Sequence, residues 1–129
     1  MTGFPRTNVG GVSVSKMIIG CNWITGYSHR GPASDHMIAE ANKNIEHATG
    51  IFTAFLKHDI DTVLGLFGED KGDEKAVKLA EDRTGKKMII MDEPILNMEN
   101  TPMARHEAEL AIKRCAERGA TFCLPLHSC

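Results

Sequence analysis

The chain has 129 residues, 42% of them hydrophobic and 25% charged, with 15 basic against 17 acidic side chains and a formal net charge of −2. That is the length and balance of one globular domain able to bury a real core. The charges form no basic stripe, and five phenylalanines, one tyrosine and one tryptophan supply no interleaved aromatic platform, so no nucleic-acid partner is expected. The opening MTGFPRTNVGG lacks the charged-then-apolar build of a signal peptide. No apolar run approaches the roughly 20 residues that cross a bilayer, so no membrane partner is expected and the cytoplasm is the default compartment. Cys21, Cys115, Cys123 and Cys129 make no compact disulfide pattern; reduced thiols are expected, at least two of them buried as small hydrophobes.

In chain order, TNVGGVSVS alternates polar and apolar residues around a Gly-Gly pair and predicts a hairpin over about 7–15. KMIIG, about 16–20, is a continuous apolar run suited to a strand buried on both faces. A long polar connection, CNWITGYSHRGPASDH, follows over 21–36; a loop of that length in a small domain is usually functional or mobile. Helix signals begin near Ser34 and Asp35 and strengthen after Asn44, where Ile45, Ala48, Phe52, Phe55 and Leu56 form one apolar stripe. The second strand is predicted over about 61–66. Asp73 then caps a helix that turns Ala76, Val77 and Ala80 inward and ends near Thr84-Gly85. KMIIM, about 87–91, is the third strand, closed by Asp92, Glu93 and Pro94. Asn100 or Thr101 caps the last helix, Pro102 opens it, and Ala104, Ala108, Ala111, Ile112 and Cys115 make its inward stripe. Gly119 stops it before a fourth strand over about 120–125. Strand and helix alternating in this way predict an α/β fold with a parallel sheet.

Three stretches, GGVSVSKMIIGCNW, FTAFLKHDIDTVLGLFGED and AIKRCAERGATFCLPLHS, carry a resemblance that spans nearly the whole chain. The sequence resembles the N-terminal half of the aldo-keto reductase barrel. That likeness implies the first half of a (β/α)8 TIM-type barrel, four parallel strands behind a small hairpin in one partial domain, 1–129, the complete barrel needing about 250 residues. It also implies NADPH-dependent carbonyl reduction, with a tyrosine giving the carbonyl its proton and a lysine, an aspartate and a histidine around it. NADPH enters by this resemblance alone, and the family's cofactor-binding residues belong to the half beyond Cys129. Position by position the match departs from the family. His127 falls at the family's histidine, Phe67 stands at the tyrosine, and Asp92-Glu93 occupy the lysine position with reversed charge. Asp61 keeps an Asp-Thr dipeptide but sits at the start of its strand.

Side chains at the C-terminal ends of parallel barrel strands converge on one mouth. This places Cys21, Asn22, Phe67, Glu69, Asp92, Glu93 and His127 together, a set suited to proton transfer or to a divalent metal. His127, Asp92 and Glu93 are the candidate catalytic residues. Cys21, Asn22, Trp23, Tyr27, Arg30 and Phe67 are the candidate substrate contacts, Arg30 as a clamp for a carboxylate or phosphate. The plainer alternative has Asp92 and Glu93 solvated at the loop before Pro94. Cys123, His127 and Cys129 lack the paired spacing of a zinc site, and no metal is assigned. His47, His58 and His106 read as helix surface.

The expected function is therefore an aldo-keto-reductase-like barrel fragment, diverged from carbonyl reduction, with a pocket for a small-molecule substrate at the strand ends. Two alternatives stand beside it. One is a metal-dependent barrel hydrolase or isomerase using Asp92, Glu93 and His127. The other is a non-enzymatic half-barrel whose exposed strand edges lead it to associate with itself or another chain.

Overall fold

Gly10 and Gly11 carry φ values of 56° and 85°, the two positive angles that a tight type I′ hairpin turn demands and that glycine supplies without a clash. Around them β1 (Arg6–Val9) pairs antiparallel with β2 (Val12–Ser15), Val9 opposite Val12 and Arg6 opposite Ser15. The computed structural model describes residues 3–65, 67 and 73–126 of the chain.

β3 (Ile18–Gly20), β4 (Thr62–Gly65), β5 (Ile89–Asp92) and β6 (Phe122–Cys123) form a four-stranded parallel sheet in chain order. Each strand bound lies within two residues of the predicted one. β6 is the shortest, paired through Met91–Phe122 and Asp92–Cys123, with an isolated bridge between Ile95 and Leu126 beyond it. The chain is thus α/β, a parallel sheet with a small antiparallel hairpin, and the described strands stand as an open row. The hairpin is tied to the start of β4. Ser15 donates its backbone N–H to Thr62 Oγ1 and accepts from Asp61 N, both at 3.2 Å, and Arg6 pairs with Asp61 at 2.8 Å. The Asp61-Thr62 dipeptide is an anchor for the hairpin at the N-terminal end of the sheet.

Residues 21–36 differ from the expected long loop. They hold α1 (Asn22–Thr25), stopped by Gly26 at φ 92°, and the first part of α2 (Pro32–Asn42). Pro32 is at home in the first helical turn, and Asp35 one turn on accepts from both the backbone N–H and the hydroxyl of Ser28 at 2.7 and 2.6 Å. Asn42 Nδ2 donates to the carbonyls of Trp23 and Ile24 at 3.3 and 3.0 Å, so α1 and α2 are stitched together by polar groups. No apolar period announces them, because α1 buries only Ile24 and α2 only Ile38.

α3 (Ile45–Lys57) is a separate helix, capped by the Asn44 side chain, which accepts from Glu46 N at 3.0 Å. It brings Ala48, Phe52 and Leu56 onto Ile19 and Val63, joined by Ala76, Val77 and Ala80 of α4 (Asp73–Thr84). Asp73 lies in the first turn of α4 and is buried. α5 (Pro102–Glu117) starts as expected, with the Thr101 hydroxyl accepting from Ala104 N at 3.1 Å. Its predicted stripe is only partly buried: Ala104 and Cys115 are covered, whereas Ile112 is 44% exposed. The short edge strand β6 offers nothing to cover that flank. Among the described residues no helix is long and apolar enough to cross a membrane.

Candidate functional site

In a parallel sheet, register partners share a face and successive residues alternate between faces. Ile19, Val63 and Ile90 align across the sheet and pack into the helix-side core. The next step along each strand on that face brings Cys21, Gly65, Asp92 and Cys123. Ile18, Thr62 and Ile89, then Gly20, Leu64, Met91 and Phe122, line the opposite face. The hairpin covers the N-terminal part of that second face through Ser15 and Thr62. Its C-terminal part ends in a small cavity.

That cavity, about 180 Å³, is lined by Gly20, Cys21, Asn22, Trp23, Leu64 and Glu93. A larger hollow of about 630 Å³ lies elsewhere, against Gly3, Phe4, Pro5, Arg6 and Asp59. The smaller one is the better candidate, since it lies where strand ends converge and combines an amide, a thiol, an indole and a carboxyl group.

Each wall has a local cause. Gly65 lets β4 press against Cys21: a side-chain carbon there would stand 2.6 Å from Cys21 Sγ. The buried Cys21 thiol is pushed up to about 12, by desolvation first and then by the charges of Asp73 and Glu93. It is a neutral wall at neutral pH. The Asn22 amide nitrogen lies 2.9 Å from His29 Nε2. Trp23 is 54% exposed, with the Arg30 guanidinium 5.8 Å from its ring centre, a cation–π distance.

Glu93 is the titratable group with a perturbed environment. Desolvation, then the neighbouring charge of Asp92, raises its carboxyl above the ordinary value of 4.5. An acid whose folded-state pKa is raised favours folding below its unfolded value, and that contribution is lost as pH climbs through the folded value. Glu93→Gln should therefore remove a stability loss that the parent protein shows on going from pH 4.5 upward. Parallel urea titrations across that range check it; identical pH profiles for the two proteins would contradict it.

Cys21, Asn22, Trp23 and Glu93 line one cavity, and Arg30 reaches it over the Trp23 ring. Tyr27, partly exposed, is not among the lining residues. Phe67 is buried in the helix-side core rather than at the mouth. Asp92 is neither solvated nor in the cavity. It is 1% exposed on the helix side, accepting from Arg118 Nη2 and Nε at 2.8 and 3.2 Å, while Phe67 N approaches its other oxygen at 3.4 Å. This placement makes it a structural clasp. The readings placed on Glu69, His127 and Cys129 lie outside the described residues. Among the described residues no group of three or more His, Cys, Asp or Glu side chains is gathered to hold a metal. His47, His58 and His106 are exposed on their helices. Leu64 was missed as a wall, although strand alternation one residue before Gly65 pointed to it. No family model matches this chain, and neither a curated protein nor a solved structure matches it.

Proposed function

We propose that the chain is half of an aldo-keto-reductase-like barrel that holds a small polar molecule at the C-terminal ends of its strands, without the family's carbonyl reduction. The carrying observation is the cavity formed by Gly20, Cys21, Asn22, Trp23, Leu64 and Glu93. Parallel strands in chain order and a hairpin seated at their N-terminal end support the barrel reading. Glu93 and Asn22 give a ligand two polar contacts in the cavity.

NADPH does not fit the described residues. The cavity, about 180 Å³, falls below the roughly 300–1,000 Å³ of pockets that take drug-sized ligands. Its ionisable carboxyl, Glu93, has the charge sign of the cofactor's phosphates. Phe67 supplies no proton. The ligand class is therefore a small carbonyl or hydroxy compound of few heavy atoms. Trp23 is the single tryptophan, so its emission reports on this cavity alone. Titration with small aldehydes, keto acids and hydroxy acids should give a saturable change that Glu93→Gln weakens. A flat response to the whole set, or one indifferent to Glu93→Gln, would sink the reading.

Self-association is a second reading, favoured by the exposed Ile95, Leu124 and Leu126 beside the edge strand; such edges invite pairing. A monomer at every concentration in sedimentation would contradict it.

A further inference from the structure

The end of α5 folds back onto β6 through a tight turn. Gly119 takes φ 88°, its N–H donates to Ala116 O at 3.0 Å, and Ala120 N donates to Cys115 O at 3.1 Å. Thr121 N then donates to Ile90 O at 2.9 Å, which sets the register that pairs Cys123 with Asp92. Cys123 consequently lies beside Asp92 on the helix-facing side of the sheet. Cys115, in the last turn of α5 and 1% exposed, has its sulfur 3.5 Å from Arg118 Nη2, and that same guanidinium is bonded to Asp92. Two thiols, a carboxylate and a guanidinium are thus gathered where the end of α5 meets the sheet, with the Arg118 guanidinium between Cys115 and Asp92 and Cys123 the register partner of Asp92. Both cysteines are free.

We propose that Cys115 and Cys123 are a dithiol that a hydroperoxide oxidises to an intramolecular disulfide. Cys123 is the more accessible of the two and reacts first. Its sulfur attacks the terminal peroxide oxygen, the O–O bond breaks, and the departing oxygen leaves as water or alcohol with the thiol proton. Cys123 is then a sulfenic acid. The Cys115 sulfur attacks the Cys123 sulfur, the S–O bond breaks, and the hydroxyl leaves as water with the Cys115 proton. Two thiols lose two electrons and the peroxide gains them. The bridge fastens the last turn of α5 to the edge strand β6.

Arg118 lies between the two cysteines, so trypsin separates them into the segments 115–118 and 119–129 unless a bridge joins them. After hydrogen peroxide treatment and alkylation, the folded protein should show the loss of two hydrogen atoms in its intact mass. Its digest should contain the two segments linked through Cys115 and Cys123, as fragmentation locates the bond. Cys129→Ser should keep this link and Cys123→Ser should lose it. A link that runs through Cys129 would overturn the proposal, as would separate alkylation of Cys115 with Cys123 carried on to its sulfinic acid.

Discussion

Replacing Arg118 by leucine should cost about 3–5 kcal/mol of folding stability, the penalty typical of stranding a buried charge. Asp92 is 1% exposed, and Arg118, 26% exposed in its side chain, is its charged partner at 2.8 Å. Leucine fills space at the end of α5 but leaves the carboxylate without that partner in a site water does not reach. The reverse substitution should cost less. Asp92→Asn leaves Arg118 partly hydrated and within 3.6 Å of Glu74, and the amide oxygen still accepts from the guanidinium, so a loss of about 1–2 kcal/mol is expected. Replacing both residues with leucine should recover part of the Arg118→Leu loss, because an apolar pair strands no charge. Urea midpoints at unchanged slope measure all three variants. An Arg118→Leu protein within about 1 kcal/mol of the parent would show that Asp92 is not the clasp described, since surface substitutions have that size.

Phe52→Ala should be as damaging, about 3–5 kcal/mol, a large part of the 5–15 kcal/mol that stabilises a typical domain. Phe52 is completely buried between α3, α4 and the sheet. Its neighbours on α4 are small, Ala76, Val77 and Ala80, so the layer between the helices and the strands depends on the volume of this ring. None of these side chains is long enough to fill the space its loss would open. Phe52→Leu keeps much of the volume and should cost about 1.5 kcal/mol or less. Ile112→Ala, at a position 44% exposed, should stay under about 1 kcal/mol although the same helix periodicity pointed it inward. Thermal denaturation of the three variants gives the order; equal losses at Phe52 and Ile112 would contradict the core drawn here.

Ile112 shows where the sequence stops being a guide. The strands were legible because KMIIG, DTVLG and KMIIM are apolar runs bounded by turn and polar residues, and the hairpin because a Gly-Gly pair suits its turn. α3 and α4 were legible because each packs against covered core on the face its period marks. α5 has the same period, but its outer flank meets no neighbour among the described residues, and periodicity cannot report what lies opposite. α1 escaped notice, and α2 was signalled only from Ser34 and Asp35 onward, because hydrogen bonds from Ser28, Asp35 and Asn42 shape them, rather than an apolar stripe.

The site was half legible for a geometric reason. Asp92 ends β5 and Glu93 follows it with its N–H still bonded to Gly65 O, so the two face opposite sides of the sheet. Strand position puts both at the mouth, and only the register, Gly65 opposite Asp92, decides which one enters the cavity. Phe67 failed likewise: its position after β4 fits the family's tyrosine, whereas its contacts are with the helix-side core. Cys21, Asn22 and Trp23 succeeded because they continue directly from Gly20 into α1, leaving little freedom over where they go.

The most direct test maps the ligand rather than detecting it. With the small carbonyl or hydroxy compound that most changes Trp23 emission, two-dimensional NMR of the labelled protein locates the binding surface. Shifts are expected in the Trp23 indole N–H and in the amides of Gly20, Asn22, Leu64 and Glu93, all reduced in Glu93→Gln. Shifts confined to the hollow around Gly3–Arg6 and Asp59, or no shifts at the strand ends at saturating compound, would contradict that expectation.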